Sequence, residues 1–231
     1  MVAEALRARR RRMDRLWLRR GARSPELEAL VTAAREAGVP VVEEDRDRLQ
    51  RLVPAGAKTQ GAVLEAGPLP ELSLEQLLEE TRAAAGRRQL VALDGVEDPQ
   101  NVGAIIRTAD GAGTHGLVLT RRHAPPLGPA VARASAGAVE HLPVARVPNL
   151  VRALNLLKEK GFWTVGADPE RGEDLFAVDD RVLAGELVLV FGAEGRGIRT
   201  GVGSALDHRV RVPLEGGVAS LNVSAAAAVV L

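Results

Sequence analysis

Ser220, Asn222 and Ser224 form a polar cluster between a glycine pair, Gly216 and Gly217, and an alanine run. Just upstream, Arg209 to Leu214 alternates basic and apolar residues and meets Pro213, which predicts a short strand ending in a loop. A strand-to-helix junction of this kind offers helix amides to a ligand, and two glycines let the ligand approach the backbone. The same residues also read as an N-capped, alanine-rich core helix. Two further groups stand just after apolar runs: Asn101 and Arg107 follow Leu90 to Asp94, and Gly192-Ala-Glu194-Gly195 follows Leu187 to Phe191. A lone Glu or Arg in such a place is usually a cap or a surface charge, so none of the three is informative alone.

The surrounding elements decide whether those groups can share a site. Apolar strands are expected at Leu16 to Leu18, Val39 to Val42 and Gly61 to Leu64, with a helix between the first two that starts at Ser24-Pro25 and stops at Gly38. Gly67-Pro68-Leu69-Pro70 breaks structure, and Ser73 to Gln76 is a capping box that opens a helix over about 74–85. Beyond it, strands at Leu90 to Asp94, Leu117 to Thr120, Leu142 to Val147, Phe162 to Ala167 and Leu187 to Phe191 alternate with helices over about 98–112, 128–136 and 149–160. That alternation predicts a mostly parallel α/β sheet, whose ligands sit at the carboxyl ends of strands. All three polar groups fall at such ends. Gly111 to Gly116 matches G-x-G-x-x-G, but it follows a helix and precedes a strand, the reverse of the dinucleotide-binding context.

Composition narrows the chemistry. The chain has 231 residues, 46% of them apolar, enough for one large or two small domains. Zero cysteines and four scattered histidines argue against thiol catalysis, disulfides and a metal site. No signal peptide or membrane span is visible, so a cytoplasmic protein without a membrane partner is expected. Net charge is only +1, but Met1 to Arg23 holds nine arginines against Glu4 and Asp14. Such a cluster attracts phosphates, and it reads either as a nucleic-acid contact or as a solvated helix face in a chain that prefers arginine throughout.

Taken together, the three loops resemble the three motifs of the SpoU, or TrmH-type, RNA 2′-O-methyltransferases. The motifs are Asp98-Pro-Gln-Asn101-Val-Gly103-Ala-Ile-Ile-Arg107-Thr-Ala, Phe191-Gly-Ala-Glu194-Gly-Arg-Gly197 and Val212-Pro213-Leu214-Glu-Gly216-Gly-Val-Ala-Ser220-Leu-Asn222-Val-Ser224. Thr59-Gln60-Gly61 and the elements before it look like the RNA-binding domain of family members that act on ribosomal RNA. Ala134 to Pro143 and Asn149-Leu150 look like the bacterial branch that methylates a guanosine of 23S rRNA. A tRNA enzyme, an adenosine-specific rRNA enzyme and a noncatalytic RNA-binding or ribosome-assembly protein remain alternatives.

The resemblance implies an α/β fold in which a C-terminal trefoil-knotted SPOUT methyltransferase domain follows a small N-terminal α/β RNA-binding domain resembling large-subunit ribosomal proteins. The expected domains are 1–66 for RNA, 67–88 as a linker with a short helix, and 89–231 for catalysis. It also implies S-adenosyl-L-methionine bent inside the knot and a homodimer with active sites at the subunit interface. Carried over by position, Asn101, Arg107, Glu194, Ser220 and Asn222 are the catalytic set, with Glu194 organising its loop and Arg107. Ala167, Gly192, Val212, Leu214 and Leu221 are the cofactor-binding set, and Arg9, Arg10, Arg11, Arg12 and Gln60 face RNA. No metal is called for, because the cofactor carries the activated methyl itself.

Asn101 and Arg107 are six residues, about 600°, apart on a helix. One continuous helix would not aim both the same way, so Asn101 is expected in the turn before it. Gly103 is expected to leave room beside Arg107 for RNA or the partner subunit. Leu231 ends the sequence inside the last expected helix, and a helix so short needs tertiary packing to persist.

Overall fold

The computed structural model describes residues 1–83 and 86–231. Contacts divide the chain into two units, Met1–Pro70 and Glu71–Leu231. The first contains α1 (Val2–Ala8), β1 (Met13–Arg19), α2 (Pro25–Glu36), β2 (Val41–Glu44), α3 (Arg46–Arg51) and β3 (Ala62–Ala66). β1 is central, parallel to β2 and antiparallel to β3. Ser24 starts α2 by accepting the Leu27 N–H at 3.3 Å, and Pro25 occupies the first turn, where no donor is needed. Leu27, Leu30, Val31 and Ala34 then pack with Leu6, Leu16 and Leu18. No apolar periodicity announces α3. Its start is fixed by Asp45, whose carboxylate accepts the Arg48 N–H at 2.7 Å.

The second unit opens with α4 (Leu74–Glu80), β4 (Gln89–Asp94), α5 (Pro99–Gly111), β5 (Gly116–Thr120) and α6 (Pro129–Ala134). It continues through β6 (Val144–Val147), α7 (Leu150–Glu159), β7 (Trp163–Ala167), β8 (Glu173–Asp174) and α8 (Asp180–Ala184). β9 (Leu187–Gly192), α9 (Thr200–Gly203), β10 (His208–Arg211) and α10 (Val223–Val230) complete it. The seven strands lie in the order β6-β5-β4-β9-β7-β10-β8, and every pairing is parallel. All residues of β4, β5 and β9 are buried. A parallel sheet covered on both faces needs apolar side chains on both, which is why these strands read as unbroken apolar runs.

The capping box of α4 forms as its sequence requires: Ser73 Oγ accepts the Gln76 N–H at 3.2 Å and Gln76 Oε1 accepts the Ser73 N–H at 2.8 Å. Leu74 and Leu77 enter the same core as Leu90, Val118 and Leu154. The helix ends at Glu80, with Thr81 as its C-cap, short of the expected end at about 85; positions 84 and 85 themselves lie outside the described residues.

Three expectations are corrected. The final strand ends at Arg211, so Val212 and Leu214 belong to a loop. β6 begins only at Val144, after Pro143, which has no N–H to give a ladder. The stretch between β7 and β9 holds β8 and α8, too short to carry a periodic signal. The glycine decoy is a helix end: Gly111 closes α5, Gly113 turns at φ 74° and Gly116 opens β5.

Candidate active site

The carboxyl ends of four neighbouring strands build the site. Register pairs Asp94 with Gly192, Phe191 with Ala167, and Ala167 with Val210. Ala167, Gly192 and Val212, two residues past Val210, are thereby brought to one end of β7, β9 and β10. At Gly192 the chain folds back on itself: an added Cβ would lie 2.1 Å from the Gly197 carbonyl carbon and 2.3 Å from the Ile198 nitrogen. Only glycine allows that approach. Along the loop after β10, Val212 and Leu221 are half-buried, while Leu214 keeps 37% of its surface exposed.

Asn222 joins three motifs through one side chain. It is the N-cap of α10, its Oδ1 accepting from the Ser224 N–H at 2.9 Å and the Ser224 hydroxyl at 2.6 Å. Its Nδ2 donates to Asn101 Oδ1 at 3.1 Å and to the Glu194 carboxylate. Capping and site-building are therefore the same act here. Val223 and Ala227, one turn apart, are the buried face of α10, which packs against α5 and β9. This packing carries Asn222 to Asn101.

Asn101 lies inside the first turn of α5, not in the turn before it, because Asp98 caps the helix from Oδ1 to the Gln100 N–H at 2.9 Å and Pro99 takes the first position. The angular argument still describes the outcome. On one helix the two residues point about 120° apart: Asn101 is buried against α10, whereas Arg107 is exposed and makes no hydrogen bond or ion pair among the described residues. Glu194 bonds Asn222 and not Arg107, which corrects the expected pairing. Ser220 is exposed and likewise without a hydrogen bond. Gly103 leaves no room for RNA or a partner. A Cβ there would meet Ala134 Cβ at 2.3 Å and the Ser135 nitrogen at 2.9 Å, so the glycine serves the contact of α5 with α6.

One residue pair escaped the sequence reading. Asp94, its side chain fully buried at the end of β4, accepts from Arg199 Nε at 2.8 Å and Nη2 at 2.5 Å, and from the Arg199 N–H at 2.8 Å. The available signal was a carboxylate closing an apolar strand, since a buried carboxylate requires a partner.

In the first unit, Arg9 caps α1 with a left-handed backbone, φ 52°. Arg11 donates to the Gly67 carbonyl at 3.2 Å, and Arg12 pairs with Asp14 at 3.0 Å. Gln60 is exposed in the turn before β3, φ 51°. Among the described residues, no group of three or more His, Asp or Glu is placed to hold a metal ion, and no helix is long and apolar enough to cross a membrane.

Comparison with known proteins identifies relatives of both sections of the chain. The family described as SpoU rRNA Methylase matches residues 88–231, and the one described as RNA 2′-O ribose methyltransferase substrate binding matches residues 1–72. The 23S rRNA (guanosine-2′-O-)-methyltransferase RlmB of Pseudomonas putida is 38% identical over 224 residues, covering 96% of this chain and 87% of that protein. The enzyme of the same name from Pseudomonas aeruginosa is 38% identical over 233 residues, covering 100% and 91%. The SpoU methyltransferase AviRb of Streptomyces viridochromogenes superposes with a TM-score of 0.79 at 25% identity, over 99% of this chain and 83% of that one. The crystal structure of AviRb with AdoMet superposes at 0.81, 23% identical, over 99% and 84%.

Proposed function

The chain belongs to the SpoU rRNA methylase family, and from that premise we propose that it transfers a methyl group from S-adenosyl-L-methionine to the ribose 2′-hydroxyl of a guanosine in 23S rRNA. The observation that carries this reading is Asn222, which ties Asn101 and Glu194 from the other two motifs into one polar cluster at the end of the sheet.

The residues at the strand ends suit the cofactor. Ala167, Gly192, Val212, Leu214 and Leu221 would hold it, because backbone groups at strand ends beside partly exposed aliphatic side chains match the edges and faces of an adenine ring. S-adenosylmethionine supplies, when bound, a sulfonium methyl open to in-line displacement. The chain's own task is to aim a very weakly acidic hydroxyl, keep water out and stabilise the charge that develops. A guanidinium keeps its proton at neutral pH, so Arg107 acts as a cation: it holds the neighbouring phosphate through two N–H groups and stabilises alkoxide character. Asn101 makes no hydrogen bond from its own Nδ2 among the described residues, which leaves that donor for the substrate. Glu194 fixes Asn222, and Ser220 contacts RNA from the exposed loop.

The remainder of the proposal follows from the family. Residues 1–66 bind RNA through Arg9, Arg10, Arg11, Arg12 and Gln60, residues 67–88 connect, and residues 89–231 carry a trefoil knot. The return of α10 from the strand beside the sheet edge to α5 supports the knot. The exposed, unbonded Arg107 and Ser220 support a homodimer in which a second copy completes each site. The protein acts in the cytoplasm, where its rRNA substrate is made.

Calorimetric titration of S-adenosylmethionine into the protein, with the molecular mass measured alongside, tests these points together. One cofactor per subunit of a dimer is expected, with Arg107→Lys binding cofactor normally and losing turnover. A folded dimer that binds no cofactor would reject the reading.

A further inference from the structure

Outside the motif cluster, the second unit carries a turn whose backbone is fixed and whose cations are left over. Residues 121–123, Arg-Arg-His, follow β5 at the carboxyl edge of the sheet, and all three are exposed. The backbone around them is braced from several sides. The Arg121 N–H donates to the Val147 carbonyl at 2.9 Å, and the buried Thr120 hydroxyl donates to the Arg122 carbonyl. Arg146, only 9% exposed, donates to the Thr120 and Pro125 carbonyls at 3.2 and 2.6 Å while paired with Glu71 at 2.9 Å. His123 holds a left-handed backbone, φ 61°, uncommon outside glycine. Its Nδ1 lies 2.7 Å from the Glu97 carboxylate.

Against this bracing, the guanidinium groups of Arg121 and Arg122 make no hydrogen bond or ion pair among the described residues. They line two separate clefts. Arg121 opens onto one of 740 Å³ beside Ser73, Gln76 and Glu71, whose carboxylate is already engaged by Arg146, and Arg122 onto one of 390 Å³ shared with Asn149 and Arg199. Among the described residues no carboxylate lines the smaller cleft, and Arg199, which does, is paired with the buried Asp94. A braced turn with two guanidinium groups that make no direct bond among the described residues, and Arg199 held beside one of them, fits a chain of spaced anions.

We infer that this turn is a second RNA-contact surface, in which Arg121 and Arg122 take backbone phosphates of the substrate strand beyond the target nucleotide. The inference rests on the RNA reading above, and deepens it by adding a contact on the catalytic unit itself. Arg199 is left out of the test, because its removal would strand the buried Asp94 carboxylate.

The experiment measures binding of a fluorescein-labelled single-stranded oligoribonucleotide to the full chain across a salt series, for wild type, the double variant Arg121→Ala/Arg122→Ala, and Arg121→Lys/Arg122→Lys. Each phosphate contact on a single strand contributes about 0.7 to the slope of log affinity against log salt. The alanine variant is expected to bind more weakly with a slope shallower by about 1.4, and the lysine variant to keep the wild-type slope. An alanine variant with unchanged affinity and slope, or a wild type that does not bind, overturns the inference. Methyl transfer by the wild type, measured in parallel, reports on the parent reading separately. Transfer with an unchanged slope rejects only the turn, and a changed slope without transfer rejects only the enzymatic reading.

Discussion

At position 222 an amide is needed because its two ends do different work. The oxygen caps α10 and the nitrogen donates to Asn101 and Glu194. Asn222→Asp separates the two, since aspartate caps a helix as well as asparagine but would set a second carboxylate against Glu194. Methyl transfer by this variant is expected to fall on the order of 100-fold, with a thermal midpoint within about 4 °C of wild type. Full activity would reduce the cluster to a structural cap. Each member of the cluster was legible as a polar residue after a strand. Their union was not, because Asn222 and Asn101 are 121 residues apart and only the docking of α10 on α5 brings them together. Arg107 shows the converse: its identity could be read from its motif, but its outward direction depends on where α5 starts, and that was set by the Asp98-Pro99 cap.

Elements position these side chains through contacts that periodicity does not reveal. The parallel sheet was readable because strands buried on both faces must be apolar throughout, whereas β8, α8 and α9 are too short to leave a pattern. Gly103 is the sharpest case, a glycine in a helix that looks like space for a ligand and is filled by α6. Gly103→Ala would force its Cβ into Ala134 and the Ser135 backbone, and should destabilise the fold by about 1–3 kcal/mol in urea denaturation. A second contact is sensitive to pH. Asp207 accepts from the Thr164 N–H at 3.0 Å and hydroxyl at 2.8 Å, and pairs with Lys158 at 2.8 Å, tying β7 and α7 to the entry of β10. Burial alone would raise its pKa, but the Lys158 and Thr164 bonds outweigh it and hold the carboxyl below its ordinary 3.8. A carboxyl depressed on folding contributes stability that is present above its unfolded pKa and lost as pH falls through the folded one. Asp207→Asn should therefore be less stable at neutral pH, and its denaturation midpoint should fall less than that of wild type on acidification below about pH 4.

For the whole molecule, the near-neutral total charge hides an uneven distribution of charge. A net charge of +1 coexists with nine arginines in the first 23 residues, in the section matched by the substrate-binding family, while the polar cluster lies in the section matched by the methylase family. The arginine-rich stretch and the polar cluster thus lie in different parts of the chain. The most direct test supplies the protein with labelled S-adenosylmethionine and deproteinised 23S rRNA, and maps the product. A 2′-O-methyl group on the ribose of one guanosine, absent with Arg107→Ala, is the expected result. Methylation of a base, or no transfer by a folded protein that binds the cofactor, would contradict it.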